Sequence, residues 1–307
     1  MAERVTIDVD RGVADVRLNR PDKLNALDGA MFAAIAEAIE AIEADPAIRV
    51  AVVSGEGRGF CAGLDIAAFL GASAGAAGAA GAAGAAGAAG AAGAAGNPAG
   101  DGSDAAATGA RSGARSDLRD LGDRLPGRAT NLAQQVAWGW HTLPQPVIAA
   151  VHGPCFGGGL QIALGADLRV VAPDARLSVM EIRWGLLPDM AGPQLLPRLV
   201  GLDVAKELCF TGREVSGAEA ARLGLATRVA DDPRAEALAL AATIAGRNPE
   251  AVRGMKALLD ATGTRPAAEG LLEESRRMAA LIGSPNQLEA VAAELERRAP
   301  VFTDPEG

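Results

Sequence analysis

Between Gly75 and Gly96 a glycine recurs at every third position, with Ala-Ala between. No other feature limits the fold as much. Period three is that of collagen, but the repeat holds no proline, so a triple helix is unsupported. Alanine favours helix, yet each glycine removes roughly 1 kcal/mol of that preference. Triplets without a large apolar side chain cannot bury enough surface to offset the entropy of ordering. Residues 71–116 therefore read as a low-complexity insert, an expanded surface loop inside one domain and dispensable for folding. The fold must be built from about 260 of the 307 residues, enough to bury roughly 75% of the unfolded surface without disulfide staples.

Outside the insert, strand and helix patterns alternate. Val5, Ile7 and Val9 alternate with polar residues, Asp10-Arg11-Gly12 turns, and Val13 to Leu18 continues, a β-hairpin pattern. Asp28 stands as N-cap before Met31, Ile35, Ile39 and Ile42 at helical spacing. Residues 49–54, Val147–Val151 and Leu168–Val171 read as strands, and 118–141 as helix. The class is α/β with right-handed crossovers. Past residue 216 strand signals fade, and helices are expected near 218–223, 234–247, 250–260, 269–281 and 286–298. The organisation is a core over 1–215, carrying the 71–116 insert, and a helical C-terminal region over 216–307.

A net charge of −9 argues against a nucleic-acid partner and an anionic membrane surface, both of which need a basic face. Cys61, Cys155 and Cys209 show no CxxC spacing, so neither a disulfide framework nor a structural zinc site is expected. The start lacks a basic segment followed by an apolar one, and a cytoplasmic location is expected.

Two loops carry candidate chemistry. Gly57-Arg-Gly-Phe-Cys-Ala-Gly-Leu-Asp65 follows the strand ending at Ser54, and His152-Gly-Pro-Cys-Phe-Gly-Gly-Gly159 follows the strand ending at Val151. Backbone N–H groups at such places can converge on an oxyanion, aided by a helix N-terminus. A phosphate loop would show GxxxxGK[ST] and a dinucleotide site GxGxxG; neither occurs. A tight connection with no chemical task is the plain alternative.

Taken together, Asn19-Arg-Pro-Asp-Lys-Leu-Asn-Ala-Leu, Gly59-Phe-Cys-Ala-Gly-Leu-Asp-Ile, the segment from Pro146 to Gly159, and Phe210-Thr-Gly-Arg resemble the crotonase superfamily, the enoyl-CoA hydratase/isomerase family. The resemblance spans nearly the whole chain outside the insert. It implies a spiral of ββα turns, a helical C-terminal trimerisation region and a homotrimer or dimer of trimers. It implies acyl-CoA thioester substrates, with no metal or redox cofactor; coenzyme A belongs to the substrate. Position by position, it implies an oxyanion hole from the N–H groups of Leu64 and Gly158. It puts Ala62, Leu64 and Asp65 beside coenzyme A, with Lys23 a candidate for a phosphate contact; a solvated surface lysine is the alternative for Lys23.

The family's hydratases carry glutamate at the positions of Gln161 and Glu181, so here one carboxylate is kept and one is replaced. An amide cannot take or release a proton, though it can hydrogen-bond a water or substrate. Asp189 stands where common hydratases have glycine and where the dienoyl-CoA isomerase branch has a proton-transfer aspartate; as a bare sequence feature it is also an N-cap candidate. Glu181 and Asp189 are thus the candidate catalytic pair, with Gln161 positioning water or substrate. The implied reaction is a double-bond shift through a thioester enolate, of the dienoyl-CoA or 3-enoyl-CoA isomerase type. The alternatives are a slow 2-enoyl-CoA hydratase and a non-catalytic acyl-CoA-binding relative. His141 and His152 are expected in packing or hydrogen-bonding roles.

Overall fold

The structure, a computed structural model, describes residues 3–66 and 122–305; the insert expected at 71–116 lies outside the described residues. Strands β1 (Val5–Asp10) and β2 (Val13–Leu18) pair antiparallel, Val5 opposite Leu18 and Asp10 opposite Val13. Arg11 and Gly12 join them with φ of 47° and 79°. Two positive φ values give a tight turn whose twist matches that of the strands. Helix α1 (Gly29–Ala44) opens at Asp28, whose carboxylate accepts the Met31 N–H. Met31, Phe32, Ile35, Ile39 and Ile42 form its buried stripe. It stops at Asp45, held extended ahead of Pro46.

Strand β3 (Val50–Gly55) lies parallel to β2. Helix α2 spans only Leu132–Thr142, shorter than the expected 118–141. Asn131 fixes its start by a reciprocal capping box with Gln134, and the turn at Pro126-Gly127 breaks the pattern before it. Strand β4 (Val147–Val151) continues the parallel ladder beside β3. The chain then kinks at Gly153, where φ is +53° and a Cβ would overlap the Arg58 carbonyl oxygen, so only glycine fits. Beyond the kink, β5 (Pro154–Phe156) leaves the first sheet and starts a second.

Helix α3 (Gly158–Gly165) is buried along its whole length. Strand β6 (Leu168–Val171) rejoins the first sheet and β7 (Arg176–Ser178) the second. After a 3₁₀ turn at Glu181–Trp184 come α4 (Gly192–Val200) and α5 (Leu202–Thr211), then β8 (Val215–Ser216), α6 (Gly217–Leu223) and β9 (Arg228–Val229). The sheets are ordered β1-β2-β3-β4-β6-β9 and β5-β7-β8.

The first sheet is covered on both faces, as parallel sheets require. Ala51, Val53, Val147, Ala149 and Val151 face the core shared with α1, α2 and α3. Their alternates Val50, Val52, Ile148 and Ala150 face α7 (Pro233–Ala245), whose Ala237, Ala241 and Ala245 let it approach closely. Three elements past residue 215, α6, β9 and α7, thus join the layered core. Helices α8 (Pro249–Asp260), α9 (Ala267–Leu281) and α10 (Pro285–Glu296) follow. Helix α9 buries no residue within the chain and leaves Leu271, Leu272 and Met278 exposed. No helix among the described residues is long and apolar enough to cross a membrane.

Candidate active site

Both glycine-rich loops leave parallel neighbours, β3 and β4, at their C-terminal ends. The first loop is held from beneath by Asn25, a fully buried side chain with φ of 57°. Its Nδ2 donates to the carbonyl oxygens of Glu56 and Gly59, each at 2.9 Å, and its Oδ1 accepts the Arg20 N–H at 2.8 Å. The sequence reading gave Asn25 no role. The available signal was an asparagine inside the Asn19–Leu27 motif, since asparagine tolerates the left-handed backbone.

The two loops are laced together. The Cys61 N–H donates to Pro154 O at 3.1 Å, and the Phe156 N–H donates back to Cys61 O at 3.0 Å. Gly63, with φ of +85°, lies so close that a Cβ there would sit 2.6 Å from Phe156 O and 3.5 Å from Gly158 N. That contact sets the backbone of Leu64 beside the first residue of α3. Neither the Leu64 nor the Gly158 N–H donates to a described residue. The Gly158 amide is one of the donors that a helix start leaves open. Leu64 and Gly158 line a cavity of about 440 Å³, together with Ala62, Glu181 and Asp189. Phe32, Trp184, Leu187 and Met190 supply apolar wall. Two backbone donors lining one cavity can hold a developing oxyanion if both face it, each worth roughly 3 kcal/mol.

Glu181 opens the 3₁₀ turn after β7. Its Oε1 accepts from Gln161 Nε2 at 2.6 Å, while its Oε2 is buried without a hydrogen-bond partner among the described residues. Burial pushes its pKa above the ordinary glutamate value, and the nearby Asp189 charge adds to the rise; its own backbone N–H and the Gln161 amide oppose it. A partnerless oxygen on a carboxylate of raised pKa has the properties of a general base.

Gln161 is buried on α3 and does not line the cavity. Its Oε1 accepts the N–H groups of Met190 and Gly192, each at 2.9 Å. With one end on that turn and the other on Glu181, its amide orients the carboxylate, and the residue is not placed to touch water or substrate as the sequence suggests. The same bonds correct the capping expectation for Asp189. Helix α4 has no side-chain cap; its N-cap residue is Ala191, and the Gly192 N–H is taken by Gln161 from α3. Asp189 instead is exposed at the cavity wall and forms no hydrogen bond or ion pair with a described residue.

The remaining sequence candidates fall in different places. Ala62 lines the cavity, and its N–H donates to Leu24 O at 2.9 Å. Asp65 pairs with Arg20 at 2.9 Å. Lys23 is exposed on a 3₁₀ turn, Pro21–Lys23, outside the cavity lining. His152 Nε2 lies 3.0 Å from Gly57 O and braces the first loop. His141 is on α2, its ring tilted 59° to that of Trp138 with centroids 4.8 Å apart. All three cysteines are free, and burial pushes the Cys61 thiol up to about 12. Among the described residues no group of three or more His, Cys, Asp or Glu could hold a metal ion.

The α/β fold, with paired strand-end loops over a cavity that holds Glu181 and Asp189, is shared with enzymes of the crotonase superfamily. The sequence matches the profile described as Enoyl-CoA hydratase/isomerase over residues 113–305, and a second profile of the same description over 13–83. The chain belongs to the enoyl-CoA hydratase/isomerase family. It is 32% identical over 300 residues to the mitochondrial enoyl-CoA hydratase domain-containing protein 2 of Bos taurus, covering 95% of this chain and 85% of that one. It is 29% identical over 305 residues to the peroxisomal Delta(3,5)-Delta(2,4)-dienoyl-CoA isomerase of Arabidopsis thaliana, covering 98% and 96%. The solved structure of an enoyl-CoA hydratase from Bacillus anthracis superposes with a TM-score of 0.76 at 26% identity, covering 97% and 98%.

Proposed function

We propose that the chain moves a carbon–carbon double bond within an acyl-CoA thioester by proton transfer, with Glu181 as the main base. The observation that carries this reading is the Oε2 atom of Glu181, buried and without a hydrogen-bond partner among the described residues, in a cavity that also presents the N–H groups of Leu64 and Gly158, neither of which donates to a described residue. With the thioester oxygen between those two donors, the C2 proton of a 3-enoyl-CoA passes to Glu181. The C2–H bond breaks, the electron pair enters the dienolate, and charge collects on the oxygen. Return of the proton to C4 leaves a 2-enoyl-CoA. In a 3,5-dienoyl-CoA the proton is delivered to C6 instead, giving the 2,4-diene. That longer span calls for a second acid, and Asp189, on the same cavity wall, fills the role. No net oxidation occurs, so the cycle consumes no redox partner.

The hydratase reading requires a second group to handle water, and Gln161 has its carbonyl committed to Met190 and Gly192. A homotrimer is supported by the unburied apolar side chains of α9, which sedimentation would test. The deciding experiment is turnover of crotonyl-CoA, a 3-enoyl-CoA and a 3,5-dienoyl-CoA by the full chain. Isomerisation faster than hydration is expected; hydration as the fastest reaction overturns the proposal, and no turnover of any of the three leaves a binding protein.

A further inference from the structure

Gln161, Met190 and Gly192 form a small device behind the base. Met190 and Gly192 flank Ala191, whose φ of 68° turns both of their N–H groups onto one oxygen, Gln161 Oε1. Adjacent backbone N–H groups converging in this way make a concavity that favours negative charge. Here a neutral carbonyl fills it. The orientation of the amide is therefore forced: turned over, its NH₂ would meet two donors. With the carbonyl on the turn, the NH₂ must face Glu181, and Glu181 Oε1 must accept. Any proton on Glu181 is confined to Oε2, the oxygen that lacks a partner.

We propose that Gln161 is a positioning residue that decides which group in the site starts the cycle as a base: by filling the N–H pair of Met190 and Gly192 with a neutral oxygen, it leaves Glu181 as the one carboxylate of the hydrogen-bonded 161–181 pair. The inference rests on the proton-transfer reading above but concerns the charge state of the resting site. A glutamate at position 161 would keep the acceptor for both N–H groups and exchange the NH₂ for a second oxygen, 2.6 Å from Glu181 Oε1. Two carboxylates that close cannot both ionise. The two backbone donors would hold the charge at 161, and the shared proton would move to Glu181. The base would become an acid, the arrangement that suits addition of water and not abstraction at C2. The other titratable groups whose fields couple to Glu181 are Asp189, from the turn before α4, and Cys209, from α5. Neither changes in the comparison.

The test uses the full chain labelled with ¹³C at the glutamate side-chain carboxyl carbon, with Glu181→Gln to assign the Glu181 signal. Wild type, Gln161→Glu and Gln161→Leu are titrated, and kcat and KM for a 3-enoyl-CoA are measured across the same pH range. In Gln161→Glu the Glu181 carboxyl is expected to be protonated at neutral pH. The rising limb of kcat moves upward past neutrality, and kcat at neutral pH drops about tenfold for each unit by which it does so, with KM nearly unchanged. Gln161→Leu, which removes the hydrogen bond without adding charge, shifts the limb upward by less. A Glu181 signal that titrates in Gln161→Glu as in wild type overturns the proposal, and so does a fall in kcat with an unmoved limb, which a merely structural role would give. If Gln161→Leu fails to fold, Gln161→Glu, which keeps the acceptor for Met190 and Gly192, still decides. A shifted titration in a chain whose wild type does not isomerise supports the charge-setting role and sinks the double-bond reading instead.

Discussion

Arg20 Nη2 lies 2.9 Å from Asp65 Oδ2, with the two side chains only 12% and 11% exposed. The same guanidinium donates to Ala26 O at 3.0 Å and approaches Asp28, the N-cap of α1, at 3.6 Å. One charge thus joins the start of α1 to the residue directly after Leu64. The family resemblance had placed Asp65 at coenzyme A; its carboxylate is engaged with the protein.

Removing Asp65 strands part of a buried charge. Asp65→Ala is expected to cost about 3 kcal/mol, because breaking a buried pair leaves the partner desolvated. Asp28 compensates in part. The Leu64 amide loses an anchor, so kcat should fall more than KM rises. Urea denaturation and 3-enoyl-CoA kinetics check both; unchanged values for each would make the pair incidental.

Glu181→Gln should abolish proton transfer, a loss of roughly 10²–10⁴-fold from this group alone. The same change alters how stability depends on pH. Burial raises the pKa of Glu181 in the folded state. Between its unfolded and folded values the native state therefore binds more protons than the unfolded one. Stability contributed by this group is full below the unfolded pKa and is lost as pH rises through the folded one. Thermal melts should show Glu181→Gln gaining on wild type across that window. A difference that stays constant with pH would mean that Glu181 titrates normally. The activity of wild type should correspondingly fall on acidification at a pH above the ordinary glutamate range.

Asp189→Asn separates the two isomerase types. Since Asp189 caps no helix, the substitution should leave the melting temperature within about 1 °C, as for an exposed position. Dienoyl isomerisation should drop at least about 100-fold with loss of the second acid. The 3-enoyl shift, which one base can perform, should survive. Full dienoyl activity in the variant would remove Asp189 from the chemistry.

What the sequence showed and what it hid divide along the range of the interactions. The unbroken apolar run Val147–Val151 and the alternation in β1 are local signals, and both strands are present. The Asp28 cap is local too, three residues from the N–H it accepts. Strands β5, β7 and β8 are two or three residues long, too short to show a period, so the second sheet was invisible. The late start of α2 was legible in Asn131 and Gln134 but was outweighed by the apolar run around it. The reading of Asp189 as a cap failed for a tertiary reason. Gln161 reaches across 29 and 31 residues to take the Met190 and Gly192 N–H groups. The residue type at position 161 marks it in the sequence, but the direction of its two ends belongs to the fold alone.

Ala191 provides the last test. It is a non-glycine residue with φ of 68° and ψ of 0°, in the left-handed region. For an alanine that backbone costs about 1–2 kcal/mol. It persists here because Gln161 bonds the N–H groups on both sides of it, an arrangement any other backbone at 191 would break. Ala191→Gly removes the steric cost while keeping both hydrogen bonds. Glycine also gains freedom in the unfolded chain, which offsets part of the benefit. The net expectation is a rise in stability of up to about 1 kcal/mol, with kcat unchanged, because the clamp and not the Cβ sets the turn. A variant that is less stable, or that loses dienoyl isomerisation with the fold intact, would show that the Ala191 methyl itself holds the Asp189 segment against the cavity.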